Sequence, residues 1–155
     1  VSNDQIAIIN CLKAAGYQGL IGLQCKGGYD YSSVDPVLSA CGKDQLFLTP
    51  HIYYAGSDPN GGQQYIDSDI AGATQRGLWC VFTEYGDAMD GWHRNEYGLK
   101  LVSSVIAAEQ GGRCGALFWA MDNGNHPDGT CSAFLTRDGA QLTPVGIDPI
   151  KPWLT

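Results

Sequence analysis

Four short apolar runs, at residues 19–24, 45–50, 77–86 and 115–120, alternate with stretches of helical periodicity, and this alternation limits the possible folds more than any other feature. Each run is too short for a buried helix. The run at 77–86, rich in aromatic and β-branched residues and closed by Gly86, predicts a buried parallel strand, and the other three read as strands of the same sheet. Before the first run, Ser2-Asn-Asp-Gln5 has the spacing of a capping box, and Ile6, Ile9 and Leu12 then share one helical face up to Ala15-Gly16. Residues 33–41 predict a short helix with Pro36 in its first turn, and residues 63–75 a longer one. Asn95 predicts the cap of a further helix, whose Leu101, Val102, Val105 and Ile106 form an apolar stripe that Gly111-Gly112 ends. Strand and helix in such alternation predict an α/β protein with four parallel strands, right-handed crossovers and helices on the outer face. After residue 126 the pattern changes, and residues 134–142 predict a C-terminal hairpin turning at Asp138-Gly139. Residues 1–155 are expected to form a single domain.

Charge and cysteine content narrow the function classes. The net charge of −7 comes from scattered Asp and Glu rather than an acidic run, which argues against nucleic-acid or anionic-membrane partners and is compatible with a neutral polysaccharide. Cys11, Cys25, Cys41, Cys80, Cys114 and Cys131 lie far apart, without a C-x-x-C pair or a histidine at zinc spacing. That pattern predicts disulfides rather than a metal site, and no cofactor is expected. Six thiols allow fifteen full pairings, which the sequence leaves open. No stretch approaches the apolar length of a membrane span and no basic-then-apolar leader precedes Ser2, so a mature, secreted, extracellular product is expected.

The strand ends carry the chemistry. The third run ends abruptly in Thr83-Glu84-Tyr85-Gly86, at the rim where parallel-sheet proteins place their sites. Simple alternation puts Leu78, Cys80 and Phe82 on the inner face with Glu84, and Trp79, Val81 and Thr83 toward the helices. On the neighbouring strands the same alternation turns Phe47, Thr49 and His51 inward, together with Leu117 and Trp119. His51, Glu84 and Trp119 then meet at one end with Tyr53 close by. A carboxylate, an imidazole and an aromatic plate can support a sugar ring and place a charge beside its anomeric carbon.

In order and spacing these residues resemble the second half of a family 5 glycoside hydrolase, the cellulase and mannanase group built on an eight-stranded βα barrel. Strand six of that family ends in His-x-Tyr, matching His51 and Tyr53. Strand seven ends in the nucleophilic glutamate, matching Glu84, and strand eight carries a tryptophan beneath the bound sugar, matching Trp119. The closing Leu135-Thr-Arg-Asp-Gly and Pro152-Trp153 also resemble the family's C-terminal end. The resemblance implies a retaining mechanism with Glu84 as nucleophile, Tyr53 and His51 orienting it, and Trp119 stacking on a β-linked glucan or mannan.

One departure is conspicuous. The family's acid/base glutamate follows an asparagine at the end of strand four, whereas the sole Asn-Glu here, Asn95-Glu96, opens a predicted helix. Asp122 is the nearest substitute on the same rim, ahead of Asp87 and Asp30, and Tyr85, Trp92 and Tyr29 are further candidates to touch sugar. A closed barrel of this type takes about 250 residues. With 155 residues the chain is expected to be a half TIM barrel, (βα)4-like, resembling the C-terminal half of the enzyme. Its inner face then needs a cover, either a second copy in a homodimer, a complementary half barrel, or the chain's own tail. Two functions follow: a secreted glycosidase, or a non-catalytic sugar-binding or protein-binding module derived from one. Singly, each residue also has an ordinary structural reading. Glu84 would accept backbone hydrogen bonds at a strand end, His51 would be a satisfied buried histidine, Tyr53 and Trp119 would pack, and Met121-Asp-Asn-Gly would be a plain turn.

Overall fold

The computed structural model describes residues 2–25, 30–53, 62–86 and 96–118. In chain order the elements are α1 (Ser2–Ala14), β1 (Ile21–Leu23), α2 (Asp35–Cys41), β2 (Leu46–Leu48), β3 (His51–Tyr53), α3 (Gln63–Gln75), β4 (Val81–Gly86), α4 (Glu96–Gln110) and β5 (Gly115–Phe118). The four expected helices and the four expected parallel strands are present among the described residues. The second strand differs in being split at Thr49-Pro50 into β2 and β3, because proline lacks the N–H that would continue the ladder.

All pairings are parallel. β1 pairs with β2, and β4 lies between β3 and β5. Across the Pro50 break the two sheets are stitched together by Leu48, whose N–H donates to the Trp79 carbonyl at 2.8 Å beside a bridge to Cys80. With β2 and β3 counted as the halves of one interrupted strand, each strand among the described residues lies beside the next in the chain, and α2, α3 and α4 fill the intervals between them. This is the order of a partial βα barrel.

One face of the sheet is sealed by helices. The stripe expected on α4 is fully committed to the core, with Leu101, Val102, Val105 and Ile106 all buried, and Ile66, Ile70 and Ala73 do the same for α3. On the other face the strands crowd at one point. A Cβ on Gly22 would sit 2.5 Å from Thr49 Cγ2 and 3.2 Å from the Phe47 ring, so only glycine fits there.

The alternation expected for the β4 run is reversed. Leu78, Cys80 and Phe82 pack beneath the helices, Cys80 and Phe82 at 2% and 0% exposure, whereas Trp79 stands on the open face at 64%, as does Leu117 of β5 at 60%. The ladder between β4 and β5 shifts register between Phe82 and Tyr85. Such an irregularity inserts an extra residue and resets which face each side chain takes. Phe82 and Tyr85 thus both lie on the helix side, and Glu84 is returned to the open one. Disulfides also differ from expectation among the described residues: Cys11, Cys41, Cys80 and Cys114 are free thiols. Cys80 and Cys114 are used as small apolar core residues, and burial pushes both thiols up, that of Cys114 to about 11. Cys131, the hairpin at 134–142 and the C-terminal tail lie outside the described residues.

A polar cluster ties the segment after β1 to α3. The Tyr31 hydroxyl donates to Asp69 Oδ1 at 3.0 Å and to the Ser68 carbonyl at 3.3 Å, and its ring lies under the Arg76 guanidinium, 4.3 Å from the centroid. Arg76 in turn grips Asp35 of α2 with two hydrogen bonds, of 2.7 and 3.0 Å. A Cβ on Gly72 would fall 2.3 Å from the Tyr31 ring, so glycine there makes room for the contact.

Asp69 is 5% exposed, and desolvation raises its carboxyl against the opposing effect of the Tyr31 hydrogen bond. The folded protein therefore binds the Asp69 proton more tightly than the unfolded chain does. Its contribution to stability is present below the ordinary carboxylate range and is lost as pH rises through the elevated pKa. Two outcomes are expected in urea unfolding at pH 4 and pH 7. Tyr31→Phe, which leaves a buried carboxylate short of a donor, costs about 1–3 kcal/mol at pH 7 and less at pH 4. Asp69→Asn flattens the pH dependence, and an unchanged pH profile in that variant would exclude Asp69 as its source.

Candidate functional site

The ends of β3 and β4 bring three expected residues together. In the parallel ladder His51 is registered against Glu84 and Tyr53 against Gly86. Parallel neighbours are separated by roughly 4.8 Å, and residues two apart share a face. Register therefore sets His51 directly beside Glu84 and Tyr53 one side-chain repeat further along the same neighbouring strand. The Tyr53 hydroxyl donates to Glu84 Oε2 at 3.2 Å. His51 Nδ1 lies 3.5 Å from the same oxygen, a longer and looser contact. Both side chains of that ion pair are about one-third exposed, at 38% and 33%.

Burial raises the Tyr53 hydroxyl well above its usual range, and the charge and hydrogen bond of Glu84 push it the same way. Tyr53 is thereby held as a protonated donor across the physiological range. The arrangement fixes a carboxylate by one oxygen, at the edge of a sheet face that carries no helix among the described residues. Chemically it can hold a negative charge in a set orientation beside a ligand on that face.

Other expected site residues fall elsewhere. Tyr85 is 4% exposed and lies on the opposite side of β4, near Glu109 of α4 and Cys114, so it does not reach the open face. Its position follows from the same register shift that redirected Phe82. Asp30 is exposed and accepts the Ser32 backbone N–H at 2.9 Å, an Asx-turn arrangement. Trp119 and Asp122 lie outside the described residues, as do Tyr29, Asp87 and Trp92. Trp79 was directed to the helix layer by simple alternation and is instead an aromatic residue on the open face. It is five residues before Glu84, roughly 16 Å along an extended strand, and so at the far end of that face. Among the described residues no group of three or more His, Cys, Asp or Glu is arranged to hold a metal ion. Within the same residues no helix is long and apolar enough to cross a membrane.

Comparison with solved structures places this fold in a known architecture. XacCel5A in complex with cellopentaose superposes with a TM-score of 0.71 at 16% identity, covering 97% of this chain and 53% of that one. The catalytic domain of a mannanase from Streptomyces sp. SirexAA-E gives 0.63 at 17% identity, with 92% and 44% covered. A GH5 xyloglucan-specific β-1,4-glucanase from a ruminal metagenomic library, in complex with XXLG, gives 0.64 at 12% identity, with 97% and 50% covered. The fold is family 5 glycoside hydrolase-like. The chain spans about half the length of these glycoside hydrolases. No protein-family model matches the sequence and no curated protein matches it.

The Tyr53–Glu84 contact is expected to appear as energetic coupling. In a double-mutant cycle of Tyr53→Phe and Glu84→Ala, followed by urea unfolding, the two losses are expected to be non-additive by about 1 kcal/mol. A hydrogen bond to a charged group sets the upper range, and partial exposure reduces it. Strict additivity would show that the pair is not coupled in solution.

Proposed function

We propose that this chain is the nucleophile-bearing part of a secreted glycosidase acting on a β-linked glucan or mannan. Glu84 is the nucleophile, Tyr53 and His51 hold it, and Trp119 supports the sugar ring. The observation that carries this reading is the convergence of Tyr53 and His51 on a single Glu84 oxygen at neighbouring parallel strand ends. The fold adds support, since similar structures include β-1,4-glucanase and mannanase enzymes, one of them holding cellopentaose.

In a retaining mechanism the carboxylate attacks the anomeric carbon while a second carboxyl group, roughly 5 Å away, protonates the departing oxygen; the same group then deprotonates the water that releases the sugar. Tyr53, kept protonated, and His51 would fix the attacking group so that little reorganisation is needed at reaction. The second carboxyl comes from Asp122 or from a covering body. In this reading residues 1–155 form a half TIM barrel with helices outside, and the open face bearing Trp79 and Leu117 is covered by a second copy or by a complementary half barrel.

A second reading is favoured by one feature, the lack of an Asn-Glu at a strand end. In that case the chain is a sugar-binding or protein-binding module that retains the groove without turnover.

Reducing-sugar release from carboxymethylcellulose and mannan separates the two. The enzyme reading expects activity in the wild type and a loss in Glu84→Gln on the order of 1,000-fold or more, equivalent to about 4 kcal/mol of barrier. If neither protein releases sugar and cello-oligosaccharide still raises the melting temperature, the binding module is the correct reading. The cover is tested by sedimentation of the isolated chain at micromolar concentration, where a dimer is expected. A clean monomer excludes the second copy.

A further inference from the structure

The base of the sheet carries a pair of sulfurs that the site does not use. Val81 is registered against Gly115 in the β4–β5 ladder, and the Gly115 N–H donates to the Cys80 carbonyl at 2.9 Å. One step back along both strands, Cys80 therefore faces Cys114. Both side chains are directed to the helix-covered side, at 2% and 5% exposure, in phase with Phe82 and with Ala116, which packs on the same core. Neighbouring parallel strands lie roughly 4.8 Å apart, inside the roughly 4.4–6.8 Å Cα separation a disulfide spans. Cys25, the other buried sulfur near Cys80, follows β1, and the β2 strand stands between.

We propose that Cys80 and Cys114 close into a cross-strand disulfide that ties the base of β4, the strand bearing Glu84, to the base of β5. Closure proceeds by exchange with a low-mass disulfide such as glutathione disulfide. The Cys114 thiolate attacks one sulfur and expels a glutathione thiolate, giving a mixed disulfide. Cys80, after losing its proton, attacks Cys114 Sγ and expels the second thiolate. The protein loses two protons and two electrons, and one glutathione disulfide becomes two thiols. Burial raises both thiols, Cys114 to about 11, so exchange is slow once α3 and α4 have closed over them and proceeds during folding. Registered Cβ atoms in a parallel pair are farther apart than the roughly 3.8 Å of a relaxed disulfide, so the strands draw together by about 1 Å and the bond is readily reduced. Because the closed loop contains α4, the bond also restricts the unfolded chain.

The test refolds the reduced, full chain in a glutathione redox buffer, alkylates remaining thiols in denaturant, and digests with trypsin and chymotrypsin without reduction. Chymotrypsin separates Cys114 from Cys131. The expected product is a peptide containing Cys80 linked to one containing Cys114, with a melting temperature higher by about 5–10 °C than in dithiothreitol. Alkylation of both residues, or linkage of Cys80 to Cys25 instead, overturns the proposal. Cys114→Ser is expected to abolish the part of the thermal shift that depends on reductant. A full shift in that variant would overturn the proposal as well, and if the variant does not fold, the wild-type peptide map alone decides.

Discussion

Register between β3 and β4 is the constraint on which the site depends. A parallel ladder fixes which residue of one strand stands beside which residue of the next, and here it sets His51 beside Glu84 and Tyr53 one side-chain repeat further on. Neither contact to Glu84 requires a long side chain to reach across solvent, so little rotamer freedom is lost in making them. The ladder is itself anchored one layer lower. Leu48, buried completely, donates to the Trp79 carbonyl and holds the β2 end against the entry to β4, so Pro50 interrupts the strand without letting the register slip.

The two faces of this sheet are not equivalent energetically. The helix-covered face buries Phe82, Leu48 and Leu23 in one core cluster, each worth about 1.5–3 kcal/mol relative to exposure. The open face leaves Trp79 and Leu117 more than half exposed, at the end remote from the Glu84 rim and beside it on β5 respectively. A βα barrel places its side chains in layers that fill the interior, and each layer draws residues from strands around the full circumference. Residues from one part of that circumference meet only half of their neighbours. In the proposed half-barrel reading, Trp79 and Leu117 are such residues.

Much of this architecture was legible in sequence because the signals were local. The periodicity over residues 63–75 and the Leu101, Val102, Val105, Ile106 stripe each required only a count along one helix, and α3 and the buried face of α4 match those readings. The grouping of His51, Tyr53 and Glu84 was legible for a similar reason, since strand ends in a parallel sheet share a rim. The facing of residues 78–82 was not. Alternation fixes a face only while the strand is regular, and the shift between Phe82 and Tyr85 depends on how β5 pairs, which no residue within the run reveals. The Tyr31–Asp69 bond joins the segment between β1 and α2 to α3, far apart in sequence; its one local trace is Gly72, whose missing side chain admits the ring. The state of the buried cysteines was not legible either, because an even number of cysteines predicts pairs while Cys80 and Cys114, free in this structure, also suit the core as thiols.

In the proposed reading, the irregularity in β4 links these two sets of properties. Had the strand continued its alternation from Phe82, Glu84 would have faced α4 in an apolar layer, where an unpaired carboxylate is costly and no sugar can enter. The register shift keeps Phe82 in the core and still delivers Glu84 to the open face, one residue from Tyr85, which returns to the core. Stability and reactivity are thus met by adjacent residues of one strand. The face onto which Glu84 is delivered is also the face that lacks a cover among the described residues, and a second carboxyl group placed roughly 5 Å away has to project from that same side. Covering the sheet and completing the acid/base pair are therefore coupled: a body that buries Trp79 and Leu117 also sets the walls of the groove in which Glu84 would act.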